Sequence, residues 1–319
     1  MYDLTKCTLC PRKCRIDRTV RPGVCGVLAS LRVAKAMIHE GEEPCLIGTL
    51  DGEKKGAGAV FFSGCNLKCV FCQNYEISWE RHGEEISGTR LRDIFLELQA
   101  QGAACLDLVT PTPWLPMIAE ALTDLRSSGQ LKIPVVFNCG GYERAEALRP
   151  LEGLVDIYMP DLKYMDPELS KRYSGARDYF EQASAALQEM YRQTGPVQWV
   201  NTPAGQEPAA PDAQMTKGLL IRHLVLPGCS GDSVRLMEYL GKAFPKDAIR
   251  ISLLSQYTPF GHLEAFPELQ RRVTTYEYEK VLKAADEAGL LGYRQLRSSA
   301  TMDLRPSFDG SGVRPEKTS

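Results

Sequence analysis

The stretch "GAVFFSGCNLKCVFCQN", residues 58–74, runs from an unbroken apolar segment into three cysteines, Cys65, Cys69 and Cys72. "GAVFFS" reads as a buried strand, and the cysteines follow its C-terminal end in a C-x3-C-x2-C spacing. Thiolates gathered in a short loop suit zinc or an iron–sulfur cluster. A structural zinc site or an electron-transfer cluster usually takes four ligands. Gln73 and Asn74 are poor ligands, and Cys105 lies a whole strand–helix unit away. Three thiolates at a cubane would leave one iron open, as a catalytic metal keeps one position free. Buried structural thiols are the plain alternative.

The same strand-then-helix unit repeats along the chain. "LRDIFLELQAQG" places Leu91, Ile94, Phe95 and Leu98 at helical spacing, and "LPMIAEALTDL" does so with Leu115, Ile118, Leu122 and Leu125. Further strands are expected in "CLDLVT", "IPVVFN", "LVDIYMPDLK", "GLLIRHLVLPG" and "AIRISLL", with "GYRQLR" as a possible terminal strand. Apolar strands alternating with amphipathic helices suit parallel βαβ units. Six principal strands fit a partial (β/α)6 TIM-like barrel or an open doubly wound sheet. Cys65 to Cys72, Thr110, Asn138, Asp161 and Gln256 all fall at or just past strand C-termini, where barrel loops converge on an active face, so the barrel is expected. Three parts follow: a cysteine-rich extension over 1–50, a core over 51–305 and a tail over 306–319. Residues 201–218, "NTPAGQEPAAPDAQMTKG", read as a long mobile loop.

Composition narrows the functional classes. The 319 residues are 44% hydrophobic and 24% charged, as in a globular protein, with a formal net charge of −2. That balance gives no basic footprint for nucleic acid. No run approaches the roughly 18 apolar residues of a membrane span. The opening "MYDLTKCTLC" has no export signal, so a cytoplasmic location is expected and the eleven cysteines read as metal ligands sooner than disulfides.

The first fifty residues hold five of those cysteines and little periodicity. Cys7, Cys10, Cys14 and Cys25 form C-x2-C-x3-C-x10-C, enough for a structural zinc site or an accessory [4Fe–4S] cluster, with Cys45 a substitute or bystander. Such a short segment needs a staple. The acidic run around Glu40, Glu42 and Glu43 reads most simply as solvated charge.

The three-cysteine loop, with Phe71 just before its last cysteine, resembles the signature of the radical S-adenosylmethionine superfamily, and the likeness covers most of residues 57–295. "CTLCPRKC", "FCQNYEIS", "VTPT", "DIYMPDLKY", "IRHLVLPG" and "SQYTP" are similar to the pyruvate formate-lyase activating-enzyme group, nearest its branch of iron–sulfur homologues. The resemblance implies a radical S-adenosylmethionine barrel with a [4Fe–4S] cluster on Cys65, Cys69 and Cys72. It implies reductive cleavage of S-adenosylmethionine to a 5′-deoxyadenosyl radical, hydrogen abstraction from a substrate such as a glycine of a partner protein, and flavodoxin or ferredoxin as electron donor. Chemistry then resides at the cluster, with no side-chain acid or base. Modification of a small molecule or peptide, or a non-catalytic metal scaffold, are the rival readings.

The likeness also implies cofactor contacts. Asp161 and Lys163 match an Asp-x-Lys pair, whose members share one face of an extended segment; a strand-end ion pair is the simpler reading. Arg222 sits in an apolar strand, where an unpaired guanidinium is unfavourable, so it is expected to meet a ligand carboxylate or a core Asp. Asn138 precedes Gly140-Gly141, which would let backbone approach a ligand. Gln256 stands near where the group places a histidine. Thr110 and Thr112 replace the group's Gly-Gly-Glu, and Trp114 is read as a helix start.

Overall fold

The computed structural model describes every residue except Met1, Gly48, Asp51, Gly52, Ala204, Gly205, Glu207, residues 209–212, His262, residues 296–305 and residues 316–319. Its main strands are β1 (Arg32–His39), β2 (Ala57–Phe62), β3 (Leu106–Val109), β4 (Val135–Cys139), β5 (Ile157–Pro160), β6 (Met215–Leu224), β7 (Arg250–Leu254) and β8 (Gly292–Arg294). The principal helices are α1 (Gly88–Ala100), α2 (Leu115–Ser127), α3 (Pro167–Ser174), α4 (Tyr179–Thr194), α5 (Ser230–Ala243) and α6 (Thr275–Glu287).

Strand order resolves the choice left open by periodicity. From β2 to β8 the strands lie side by side in chain order, every neighbouring pair parallel. A doubly wound sheet reverses its order at a switch point. No reversal occurs here, and neighbouring helices pack on one another, α1 on α2 and α5 on α6. The result is a partial barrel of six main parallel strands with short β8 as a seventh. The strand path is open at both ends.

The amphipathic readings of the helices hold. In α1 the buried side chains are Leu91, Ile94, Phe95 and Leu98, and Ser87 caps the helix by accepting the Arg90 N–H. In α2 they include Leu115, Ile118, Leu122 and Leu125. Such side chains each contribute about 1.5–3 kcal/mol when fully buried. Thr274 and Glu277 form a reciprocal capping box at the start of α6.

Three expectations need correction. The first fifty residues are not without regular structure: β1 pairs antiparallel with β2 and extends the sheet. Its sequence, "RVAKAMIH", alternates too weakly to stand out, because Ala34 and Ala36 give little contrast with their neighbours. Residues 215–218, assigned to the long loop, begin β6. Residues 306–315, read as part of a tail, include a stretch held against β1 and β2. Ala36 N–H donates to Ser311 O (3.0 Å), Gly310 N–H donates to Ala34 O (3.1 Å), and Phe308 packs edge-on against Phe61. Much of the remaining 201–218 loop lies outside the described residues. Among described residues, no helix is long and apolar enough to cross a membrane.

Candidate active site

β2 is buried along its whole length and delivers Gly64 and Cys65 to the C-terminal edge of the sheet. Gly64 has φ +82°, and a Cβ there would lie 2.7 Å from Val27 and 2.9 Å from the Cys25 carbonyl oxygen. Only glycine lets the loop start so close to the N-terminal segment. The loop is then pinned by α3. Lys68 N–H donates to Ser174 O (3.1 Å) and Val70 N–H to Tyr173 O (2.9 Å). Gly175, left-handed at φ +63°, ends α3 at the point where those two carbonyls face the cysteines.

Each sulfur has a polar neighbour. Leu67 N–H points to Cys65 Sγ (3.4 Å), Ser174 Oγ lies 3.0 Å from Cys69 Sγ, and Ser78 Oγ lies 3.2 Å from Cys72 Sγ. Burial raises the thiols of Cys65 and Cys69 above the ordinary cysteine range, and thiol neighbours raise them further. Three ionised thiols become tolerable there when a metal takes their charge. Among the described residues, no three Cys, His, Asp or Glu side chains are arranged around a single ion position. A cluster differs from an ion because it spreads its thiolates over several irons. Three thiols, each with a polar neighbour at its sulfur, form a donor set that fits a cluster.

Cys69 and Cys72 line a cavity of about 610 Å³. Phe71, Asn138, Asp161, Lys163, Arg222 and Gln256 line it too, so six of the seven expected cofactor contacts share one space with the loop. Lys163 Nζ donates to Asp161 Oδ2 (2.7 Å), and Arg222 Nε lies 3.3 Å from Asp161 Oδ1. Arg222 Nη2 donates to Asn138 Oδ1, and Asn138 Nδ2 donates to Asp107 Oδ2 (3.2 Å). A chain of charged and amide groups thus crosses four neighbouring strands. Burial alone would lower the Lys163 ammonium, yet Asp161 and Cys69 beside it hold it above its usual value. It stays cationic next to the cysteines.

Tyr179 locks this segment. Its hydroxyl donates to Asp161 O (2.7 Å) and accepts the Lys163 N–H (3.0 Å). Here Gly141 departs from expectation: with φ +78°, its missing Cβ would fall 2.0 Å from Asp161 O and 2.7 Å from the Tyr179 hydroxyl. The glycine serves the approach of two chain segments, not a ligand.

Thr110 is the seventh expected contact, and it does not line the cavity; Val109 before it does. Thr110 sits at φ +60° with its N–H on Asn138 O, a strained turn for a residue with a Cβ. Thr112 points elsewhere, to Glu143 (2.9 Å). Trp114 is fully buried and donates to Ser63 O (2.9 Å), holding the end of β2. Gln256 accepts from Gln295 (2.7 Å), while Tyr257 packs edge-on against Phe71 with ring centres 6.2 Å apart. His223 faces away and bonds Leu162 O and Ser233, as strand alternation requires.

Sequence reasoning missed several groups. Glu42 and Glu43, read as solvated charge, are buried in the cavity wall, 3.6 and 4.0 Å from Arg222. The undetected strand β1 carries them there. Burial, then Asp107 and Glu43, raise Glu42 well above the usual carboxyl range. Burial pushes Asp107 up to about 7 against the pull of Arg222 and Asn138. A lone Asp in the apolar strand "CLDLVT" carried the same signal as Arg222 in its own strand. Ser78 and Ser174 offered none, because their partners are brought by tertiary packing.

The four N-terminal cysteines also come together. Cys7, Cys10, Cys14 and Cys25 line one small cavity of about 20 Å³, with Asn66 of the three-cysteine loop and Arg18 in its wall. Burial raises Cys10 to about 12.

Residues 59–206 match the family model of the Radical SAM superfamily. A protein of Methanocaldococcus jannaschii, described only as uncharacterized, is 26% identical over 301 residues, covering 89% of this chain and 75% of that one. Among solved structures, Streptococcus suis SuiB bound to S-adenosylmethionine aligns at a TM-score of 0.49 and 11% identity, covering 76% of this chain and 51% of that one. SuiB bound to the precursor peptide SuiA aligns at 0.48 and 13%, covering 73% and 46%. This chain thus spans about half the length of SuiB. A domain of pyruvate-formate lyase-activating enzyme from Bacteroides vulgatus aligns at 0.42 and 13%, covering 61% of this chain and 100% of that domain. The matched span, residues 59–206, holds the three-cysteine loop, Asn138, Asp161 and Lys163.

Proposed function

We propose that the protein is a radical S-adenosylmethionine enzyme whose cluster is held by Cys65, Cys69 and Cys72. The observation that carries this reading is the meeting of two of those cysteines with Lys163, Asp161 and Asn138 around one cavity of about 610 Å³. Volumes of roughly 300–1,000 Å³ are usual for small-molecule sites. When bound, cluster and S-adenosylmethionine together supply one-electron cleavage of a carbon–sulfur bond and a radical able to abstract hydrogen.

The chain's own residues bind and orient. Lys163 can turn from Asp161 to a methionyl carboxylate, and the freed Asp161 can accept from an ammonium or a ribose hydroxyl. Tyr179 keeps both on the right backbone by holding Asp161 O and Lys163 N–H. Ser174, Ser78 and the Leu67 N–H stabilise charge on the three sulfurs. Phe71 and Tyr257 give the loop an apolar flank that keeps water from the cysteines. Arg222, ringed by Asp161, Glu42 and Glu43, acts as a positioning residue for Asp161.

The hydrogen donor in this reading is a glycine of a partner protein, as the sequence resemblance implies, and the electron comes from flavodoxin or ferredoxin in the cytoplasm. Modification of a small molecule or peptide is the second reading. It needs a closed site, where the partner-protein reading needs a groove open to a protein loop. The test is anaerobic incubation of reconstituted, reduced protein with labelled S-adenosylmethionine. Formation of 5′-deoxyadenosine supports the reading, and its absence from cluster-loaded protein would refute it. Deuterium moving into that product from a glycine-labelled partner selects the first reading, and movement from a small molecule or peptide selects the second.

A further inference from the structure

The N-terminal cavity differs from an ordinary zinc knuckle in size and surroundings. All four cysteines of the C-x2-C-x3-C-x10-C segment line it, although Cys25 lies far along the chain from Cys7. Turns built from main-chain bonds set their positions: Cys7 N–H to Ile16 O (2.9 Å), Arg15 N–H to Cys7 O (2.8 Å), Lys13 N–H to Cys10 O (3.0 Å) and Gly26 N–H to Gly23 O (2.9 Å). Lys13 and Arg15 adopt left-handed backbone, φ 41° and 53°, in doing so. Such strain persists only where surrounding structure demands it. At Gly23 a Cβ would meet Cys14 Sγ at 3.3 Å and Cys25 Sγ at 3.7 Å. The sulfurs of Cys14 and Cys25 therefore converge on one point of the wall.

Two observations speak to the guest. The first is room. Four thiolates around zinc sit about 2.3 Å from the ion, which leaves a hole too small for water. The cavity here, about 20 Å³, exceeds the roughly 10–15 Å³ that admits one water. Four thiols line it with Leu9, Pro113 and Gly23, beside Lys13, Arg18, Asn66 and Thr112. The N-terminal thiols, like those of the loop, do not surround a single ion position. The second is charge. Arg18 is 1% exposed; its guanidinium donates to the carbonyls of Val27, Pro113 and Leu28 and lies over the Trp114 ring, 5.3 Å from its centre. It forms no ion pair among the described residues, although buried charges are ordinarily paired. It also stands in the cavity wall. A set of four thiolates with their metal is anionic and would complete it.

We infer that Cys7, Cys10, Cys14 and Cys25 hold a second iron–sulfur cluster, fully ligated by thiolates and packed against the three-cysteine loop. The join is direct. Asn66 follows Cys65 and lines the N-terminal cavity, and Arg12 Nε donates to Asn66 O (2.9 Å). Its closed coordination gives it no place for S-adenosylmethionine. This inference does not depend on the proposed function, because its ligands are separate.

The test uses the full chain with Cys65→Ala, Cys69→Ala and Cys72→Ala together, reconstituted anaerobically with iron and sulfide. The expected result is roughly four irons and four sulfides per chain, with a cluster spectrum that S-adenosylmethionine leaves unchanged. Adding Cys10→Ser and Cys14→Ser should abolish it. A folded triple variant that binds zinc in place of iron, or no metal, overturns the inference. Should the triple variant fail to fold, the wild-type count decides: about eight irons supports a second cluster, and about four overturns it. Cleavage of S-adenosylmethionine by the wild type tests the loop alone, so the two proposals can fail separately.

Discussion

Two cysteine groups sit back to back in this protein and face opposite surroundings. Of the three cysteines past the end of β2, Cys69 and Cys72 open onto a cavity of about 610 Å³ that carries ammonium, guanidinium and carboxylate groups. Four cysteines in the N-terminal segment enclose about 20 Å³ among Leu9, Pro113 and the buried Arg18. The difference teaches that the number of thiols and the chemistry of the space before them vary together. The larger space is lined by charged and amide groups, and the smaller by four thiols with Leu9 and Pro113 beside Arg18 and Asn66.

The largest expected effect falls on the open side. Replacing Cys69 with Ala should remove the loop cluster and reduce cleavage of S-adenosylmethionine to background, read by 5′-deoxyadenosine yield. Retained cleavage would break the comparison outright. Next comes Gly141→Ala. A Cβ 2.0 Å from Asp161 O in left-handed backbone cannot be accommodated without moving β5. A loss of several kcal/mol, on the order of the largest single-site effects, should appear as a lower Tm. Lys163→Ala should weaken S-adenosylmethionine binding by roughly 10- to 100-fold, the size of one charge-assisted contact of about 1.5–3 kcal/mol. Binding to cluster-loaded protein by calorimetry checks it, and an unchanged Kd would assign Lys163 to the ion pair with Asp161 alone.

Smaller effects sharpen the contrast. Ser174→Ala removes a hydrogen bond to Cys69 Sγ and should lower the loop cluster's reduction potential while leaving the N-terminal signal in place. Asp107→Asn should flatten the dependence of stability on pH. The folded protein holds the Asp107 proton up to about pH 7, while the unfolded chain releases it near 3.8. Its contribution is therefore complete below 3.8 and lost as pH rises to about 7. Denaturant melts at pH 4 and pH 8 should converge in the variant; an unchanged slope would assign the titration to Glu42.

The sequence reached the barrel through its apolar strands, and the loop through its spacing, because both signals are local. Asp161 and Lys163 were also legible, since their residue types stand at a strand end. The fate of Arg222 was half legible: the need for a partner showed, but Glu42 and Glu43 did not, because β1 lacks clear alternation. Ser174 and Ser78 reach their sulfurs only after α3 and the Tyr75–Ser78 turn fold over the loop. Gly141 looked like a ligand-facing glycine, and its true neighbour, Asp161 O, lies on another strand end. At the N-terminus spacing leaves zinc and a cluster open, and it does not encode the size of the void that the four cysteines line.

The most direct measurement is electron paramagnetic resonance of the reduced wild-type protein with and without S-adenosylmethionine. A site one thiolate short, as assigned to Cys65, Cys69 and Cys72, should give a cluster signal that shifts when the compound is added. The four-thiolate signal should stay fixed. A loop signal indifferent to S-adenosylmethionine, with the chain intact and its iron in place, would contradict the account.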